Sequence, residues 1–135
     1  MVAYAGNDAA NVVDIQETFA SKGLLVKYDA SGILMTAAVT DTPVGYTVQE
    51  SSRDADLALE AAGTGTVAVA PLSGICYLKC MAIASPKFGM PMYVSQTADS
   101  NGHVDNDSSN SAVLVGYYFG GEDAISTGDL VPVSC

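Results

Sequence analysis

His103 is the only histidine in a chain of 135 residues, so a Ser-His-Asp or Cys-His mechanism would have to run through it. It stands in the polar run Ser100-Asn101-Gly102-His103, and no serine has Gly-x-Ser-x-Gly surroundings. A solvated loop imidazole fits that context better than a general base. The same loop offers hard oxygen donors at Asp99, Asn101, Asp105 and Asp107, the chemistry of a Ca²⁺ site. Gly102 comes too early for an EF-hand and no glutamate closes the loop, whereas Asp, Asn, Ser and Gly are what an ordinary β-connection uses.

Other candidates are weaker still. Gly63-Thr64-Gly65-Thr66 lacks the lysine of a phosphate loop and precedes a strand pattern, so it reads as a turn. Asp54/Asp56 and Glu122/Asp123 each sit within one short segment, while a glycosidase draws its acid and base from separated segments with supporting aromatics. The chain has no tryptophan for a sugar platform. The expectation is a protein that is not an enzyme, with no catalytic, cofactor or metal residues.

Cys76 and Cys80 on a strand would face the same way but lie about 13 Å apart, too far for a disulfide. With Cys135 the count is odd, which fits small core or interface residues and folding in a reducing cytoplasm. The N-terminus, Met1 to Asp8, lacks the layout of a secretory signal, and no apolar run approaches the roughly 20 residues that span a bilayer. Fifteen acidic side chains against five basic ones give a net charge of −10, and no Lys or Arg follows Lys87, which argues against direct nucleic-acid binding. Charged residues make up only 15% of the chain, so much of its surface must be small and neutral, which suits lateral contacts in an assembly.

The elements that must carry such contacts are strands. Short β-branched runs punctuated by Gly, Pro, Asp and Ser predict an all-β (mainly β) single domain over residues 21–135. Lys22–Tyr28 and Ile33–Val39 read as a hairpin across Asp29-Ala30-Ser31-Gly32. Thr42–Gln49, Thr66–Ala70, Ile75–Met81, Met90–Ser95, Ala112–Phe119 and Leu130–Cys135 read as further strands, with Pro91 confined to an edge, a bulge or the opening of its strand. Thr97–Ser111 reads as an exposed loop or loose hairpin. Ser51–Ala62 fits a short helix or a strand equally, so at most one short helix is expected.

Val44-Gly45-Tyr46 leading to Gly65-Thr66-Val67 echoes Val115-Gly116-Tyr117 leading to Gly128-Asp129-Leu130 at unequal intervals, which reads either as two similar β units closing on each other in a small barrel or as coincidence in a Gly/Val-rich sequence. Tyr117-Tyr118-Phe119 must show side chains to both faces of one strand, leaving aromatic surface outside the core. Residues 1–20 lack a sustained period and read either as an extended arm that a neighbour could order or as a flexible or self-packed terminus.

The succession Thr42-Pro43-Val44-Gly45-Tyr46, Thr66–Ala70, Leu72–Cys80, Gly89-Met90-Pro91-Met92-Tyr93-Val94, the polar hairpin, Leu114–Tyr117 and Gly128–Val133 resembles the small capsid cement or head-decoration proteins of tailed bacteriophages. Met90-Pro91 stands where that family usually has Asp-Pro or Asp-Ala. The resemblance covers residues 30–135 and implies a β-barrel or β-tulip-like sandwich, homo-oligomers such as trimers, and a seat on the outer surface of the virion. The partners it implies are the major capsid protein and other copies of the chain, with neither nucleic acid nor membrane. It carries over no catalytic residue. Contact residues are then expected on the arm at Val2, Tyr4, Val12, Val13, Ile15 and Phe19, and on the late strand at Tyr117, Tyr118 and Phe119. The alternative is a glycan- or receptor-binding β domain of a virion fibre or adhesin, working through residues 97–111.

Overall fold

The computed structural model describes residues 10–95 and 101–135. They form two five-stranded antiparallel sheets. The first contains β1 (Asn11–Asp14), β2 (Leu25–Asp29), β3 (Gly32–Met35), β4 (Gly45–Thr47) and β5 (Thr66–Ala70), in the order β1-β5-β4-β2-β3. The second contains β6 (Ile75–Lys79), β7 (Pro91–Val94), β8 (Val104–Asp105), β9 (Leu114–Tyr118) and β10 (Leu130–Ser134), in the order β6-β10-β9-β7-β8. The described residues include one 3-10 turn, Ser109–Ser111, and no α-helix.

The second order is the first, five strands later. Register repeats with topology: Asn11↔Val69 matches Cys76↔Val133, Tyr46↔Ala70 matches Tyr117↔Ser134, and Leu25↔Tyr46 matches Pro91↔Tyr117. Each sheet curls until its edges meet in a parallel bridge, Ile15↔Ile33 in one and Cys80↔Val104 in the other. The Gln16 N–H donates to Ile33 O and the Met81 N–H to Val104 O, both at 2.9 Å. Closure of this kind satisfies part of the edge backbone that an open sheet would expose. The chain therefore builds one small barrel-like unit twice: the Val-Gly-Tyr echo marks the repeated strands, but each unit closes on itself and not on the other.

The echoed glycines are there for space. A Cβ at Gly45 would lie 2.5 Å from Ala70 O, and one at Gly116 would strike Ser134 O. In both units the strand before the tyrosine passes too close to its neighbour for any side chain.

Ile15, Phe19, Leu24, Val26 and Val67 fill the first unit. Cys76, Leu78, Cys80, Met92, Val94, Val104, Tyr118, Val131 and Val133 fill the second, and this larger core continues onto Leu25, Tyr46 and Ala70 on the back of the first sheet. Burial of each large apolar side chain stabilises the fold by about 1.5–3 kcal/mol.

Residues 11–20 are thus not a free arm. Asn11–Asp14 are paired along β5, and Ile15 and Phe19 are fully buried. Ser51–Ala62 is neither a helix nor a regular strand: an Arg53↔Leu59 bridge closes a loop in which Asp54 Oδ1 accepts from the Asp56 and Ala58 N–H groups at 2.9 and 3.0 Å. Those local carboxylate contacts compete successfully with helical hydrogen bonds.

Candidate interaction surface

In antiparallel strands, residues directly opposite one another share a face. The outward face of the second sheet therefore carries the row Ile75, Ser134, Tyr117, Pro91 and, beside it, Tyr77 opposite Pro132. Phe119 extends that second row, since its N–H donates to Pro132 O at 2.9 Å. Neither row has a charged side chain. Tyr77 is 58% exposed and Phe119 51%, and the Phe119 ring lies 4.9 Å from that of Phe88, tilted by 53°. Ion pairs stay at the margin, where Lys87 meets Glu122 at 3.0 Å. Contiguous exposed apolar surface of this kind marks an interaction site more often than an accident of composition.

Of the residues expected to make contacts, Val12, Tyr117 and Phe119 are exposed, and Val13 is half-buried against the first core. Val2 and Tyr4 lie outside the described residues. Ile15, Phe19 and Tyr118 are corrections: all three point into the cores, and the Tyr118 hydroxyl donates to Gly121 O at 2.7 Å. The alternation of β9 decides this, because Tyr117 and Phe119 face out only if Tyr118 faces in. The sequence reading missed Phe88, Tyr77 and Ile75. Ile75 and Tyr77 alternate with buried Cys76 and Leu78 along β6, and that alternation was the available signal.

The chemically versatile residues take local roles. His103 Nδ1 lies 3.2 Å from Asn101 O, in a groove of about 320 Å³ lined by Thr18, Ser21, Leu24, Met35 and Asn101. Asp105 Oδ1 accepts from the Asp107 N–H at 3.0 Å, and Asp107 Oδ1 from the Ser109 N–H at 2.8 Å, so both carboxylates shape turns. Asp99 lies outside the described residues. Burial pushes the Asp105 carboxyl up, against the hydrogen bonds it accepts. Burial likewise raises the Cys80 thiol to about 12, helped by the carboxylates of Asp105 and Asp129. Cys135 hydrogen-bonds with Cys76, and this contact and burial hold its thiol above the ordinary range. Thiols in such surroundings are poor nucleophiles.

Comparison of the chain with protein-family models, with curated proteins and with solved structures found no match in any of the three.

Proposed function

We propose that this protein is a structural subunit of a virion, a decoration protein that seats on the outside of a tailed-bacteriophage shell and holds neighbouring shell subunits together. The observation carrying this reading is the uncharged aromatic face of the second unit, a surface suited to adhesion rather than turnover. Many weak contacts made in register on a lattice act together, so a modest area per copy is enough. The acid excess of the chain keeps free copies soluble.

A second reading draws on the groove that Asn101 and His103 line together with Thr18, Ser21, Leu24 and Met35. This is the composition of a small glycan subsite. One experiment separates the two. Purified protein mixed with undecorated shells should co-sediment to a saturating stoichiometry, and Tyr77→Asp should weaken that binding by at least about tenfold, or about 1.4 kcal/mol. No co-sedimentation, together with glycan binding that Asn101→Ala abolishes, would replace the shell reading with the other.

A further inference from the structure

The repeated topology matches each strand of the first unit with a strand of the second, and one contact has no counterpart. Inside the chain, the first unit presents a corner to the second. Gly23, with φ +82°, precedes β2 and donates its N–H to Thr47 O at 2.7 Å, while its own carbonyl accepts from the Lys79 N–H at 2.8 Å. A Cβ at Gly23 would strike the Leu130 side chain and lie 3.1 Å from Tyr77 O. Around this point Lys22, Tyr46 and Val48 face Tyr77 and Leu130 across a groove of about 310 Å³. The corner of unit one thus sits on the first and last strands of unit two.

Unit two has the same corner. Gly89, with φ +85°, precedes β7 and donates its N–H to Tyr118 O at 2.7 Å, as Gly23 does to Thr47. Phe88, Tyr117 and Phe119 stand where Lys22, Tyr46 and Val48 stand in unit one. Here nothing covers it among the described residues: a Cβ built at Gly89 meets no atom within 4 Å, and all three aromatic side chains are exposed. Unit one also has the receiving surface, with Val12, Asp14 and Thr66 at the positions of Tyr77, Lys79 and Leu130. Val12 is 64% exposed. Among the described residues, one chain therefore leaves a corner and a seat uncovered, matched in fold to a pair already joined within it.

We propose that a second copy of this chain fills the gap, seating its Val12–Asp14 strand and Thr66 on the Phe88-Gly89-Phe119 corner of the first. The Gly89 carbonyl then reaches the partner's Asp14 N–H as Gly23 reaches Lys79, and Phe88 and Phe119 cover Val12. The contact is heterologous, because each copy gives a corner and takes one on a different face, so copies join head to tail and close into a ring where the rotation permits. Replacement of Lys22 by Phe88 at the corner suits it to a dry contact between chains. Part of the same aromatic face, the Phe88-Phe119 corner, thus goes to a second copy and the Tyr77 row is left to the shell reading; the test uses the free protein alone, so the two can fail separately.

Sedimentation of the full chain without shells tests it. The wild type should run as a closed oligomer, and Phe119→Asp on the corner or Val12→Asp on the seat should each give a folded monomer, as both side chains are exposed. Mixing the two variants is decisive, because Val12→Asp keeps an intact corner and Phe119→Asp an intact seat. The mixture should form a complex of one copy of each and grow no further. A wild type that stays monomeric at several hundred micromolar, an oligomer indifferent to both substitutions, or a mixture that remains monomeric would overturn the proposal.

Discussion

Tyr46 and Tyr117 occupy the same place in the two units, one opposite Ala70 and the other opposite Ser134, yet Tyr46 is 6% exposed and Tyr117 49%. The local strand geometry is shared, so the difference comes from what lies above each ring. Unit two packs over Tyr46, while the described chain leaves Tyr117 open. A repeated fold has thus been given one inward-facing and one outward-facing copy of the same surface.

That difference sets a stability contrast. Tyr46→Ala should cost about 3–5 kcal/mol, as expected for removing a buried aromatic side chain, whereas Tyr117→Ala should stay within about 0.5 kcal/mol. Urea denaturation of both variants, at concentrations low enough to avoid self-association, checks the pair. Equal losses would mean that Tyr117 is covered within the chain.

Asp105 gives a pH dependence with a definite sign. Burial raises its folded value above that of the unfolded chain, so folding favours the protonated form. The stability it contributes is fully present below the ordinary carboxylate range and is lost as pH rises through the folded value. Asp105→Asn keeps an oxygen to accept from the Asp107 N–H without the charge. The variant should melt above the wild type at pH 7, with the gap closing as pH falls towards about 4. A gap independent of pH would assign the effect to something other than this carboxyl.

The cysteines yield a chemical readout. Cys76 and Cys80 are buried, and the exposed Cys135 is held protonated by its hydrogen bond with Cys76 and by burial of its sulfur. At pH 8 the folded protein should react with a disulfide reagent well below the rate of a free thiol, and full unfolding should release all three cysteines at the ordinary rate. Cys76→Ala removes both the hydrogen bond to Cys135 and the neighbouring thiol. It should speed labelling of Cys135, and an unchanged rate would remove the pair from the explanation.

Much of this fold is legible in the amino-acid order. The β2–β3 hairpin follows from Asp29-Ala30-Ser31-Gly32 between apolar runs, and Pro91 opens its strand, where a missing N–H does least harm. The Val-Gly-Tyr echo reveals the duplication because the close approach at Gly45 and Gly116 admits no side chain. Long-range closure is what stays hidden. Asn11-Val12-Val13-Asp14 looks like a polar tail because only its parallel meeting with β3 turns Ile15 inward, and Val104-Asp105 is too short to stand out of a polar run. The interaction surface was half visible for the same reason: Tyr117 and Phe119 announce themselves, but Tyr77 and Phe88 become neighbours of theirs only once β6 and the Gly89 corner are in place.

The rows around Tyr77 and Tyr117 hold no ionised group, so ionic strength has little there to screen. Adhesion through them should persist in brine, and salts that are excluded from protein surfaces, such as sulfate, should tighten it. A coat fastened this way would tolerate shifts between dilute water and concentrated electrolyte that loosen a coat held on by opposite charges.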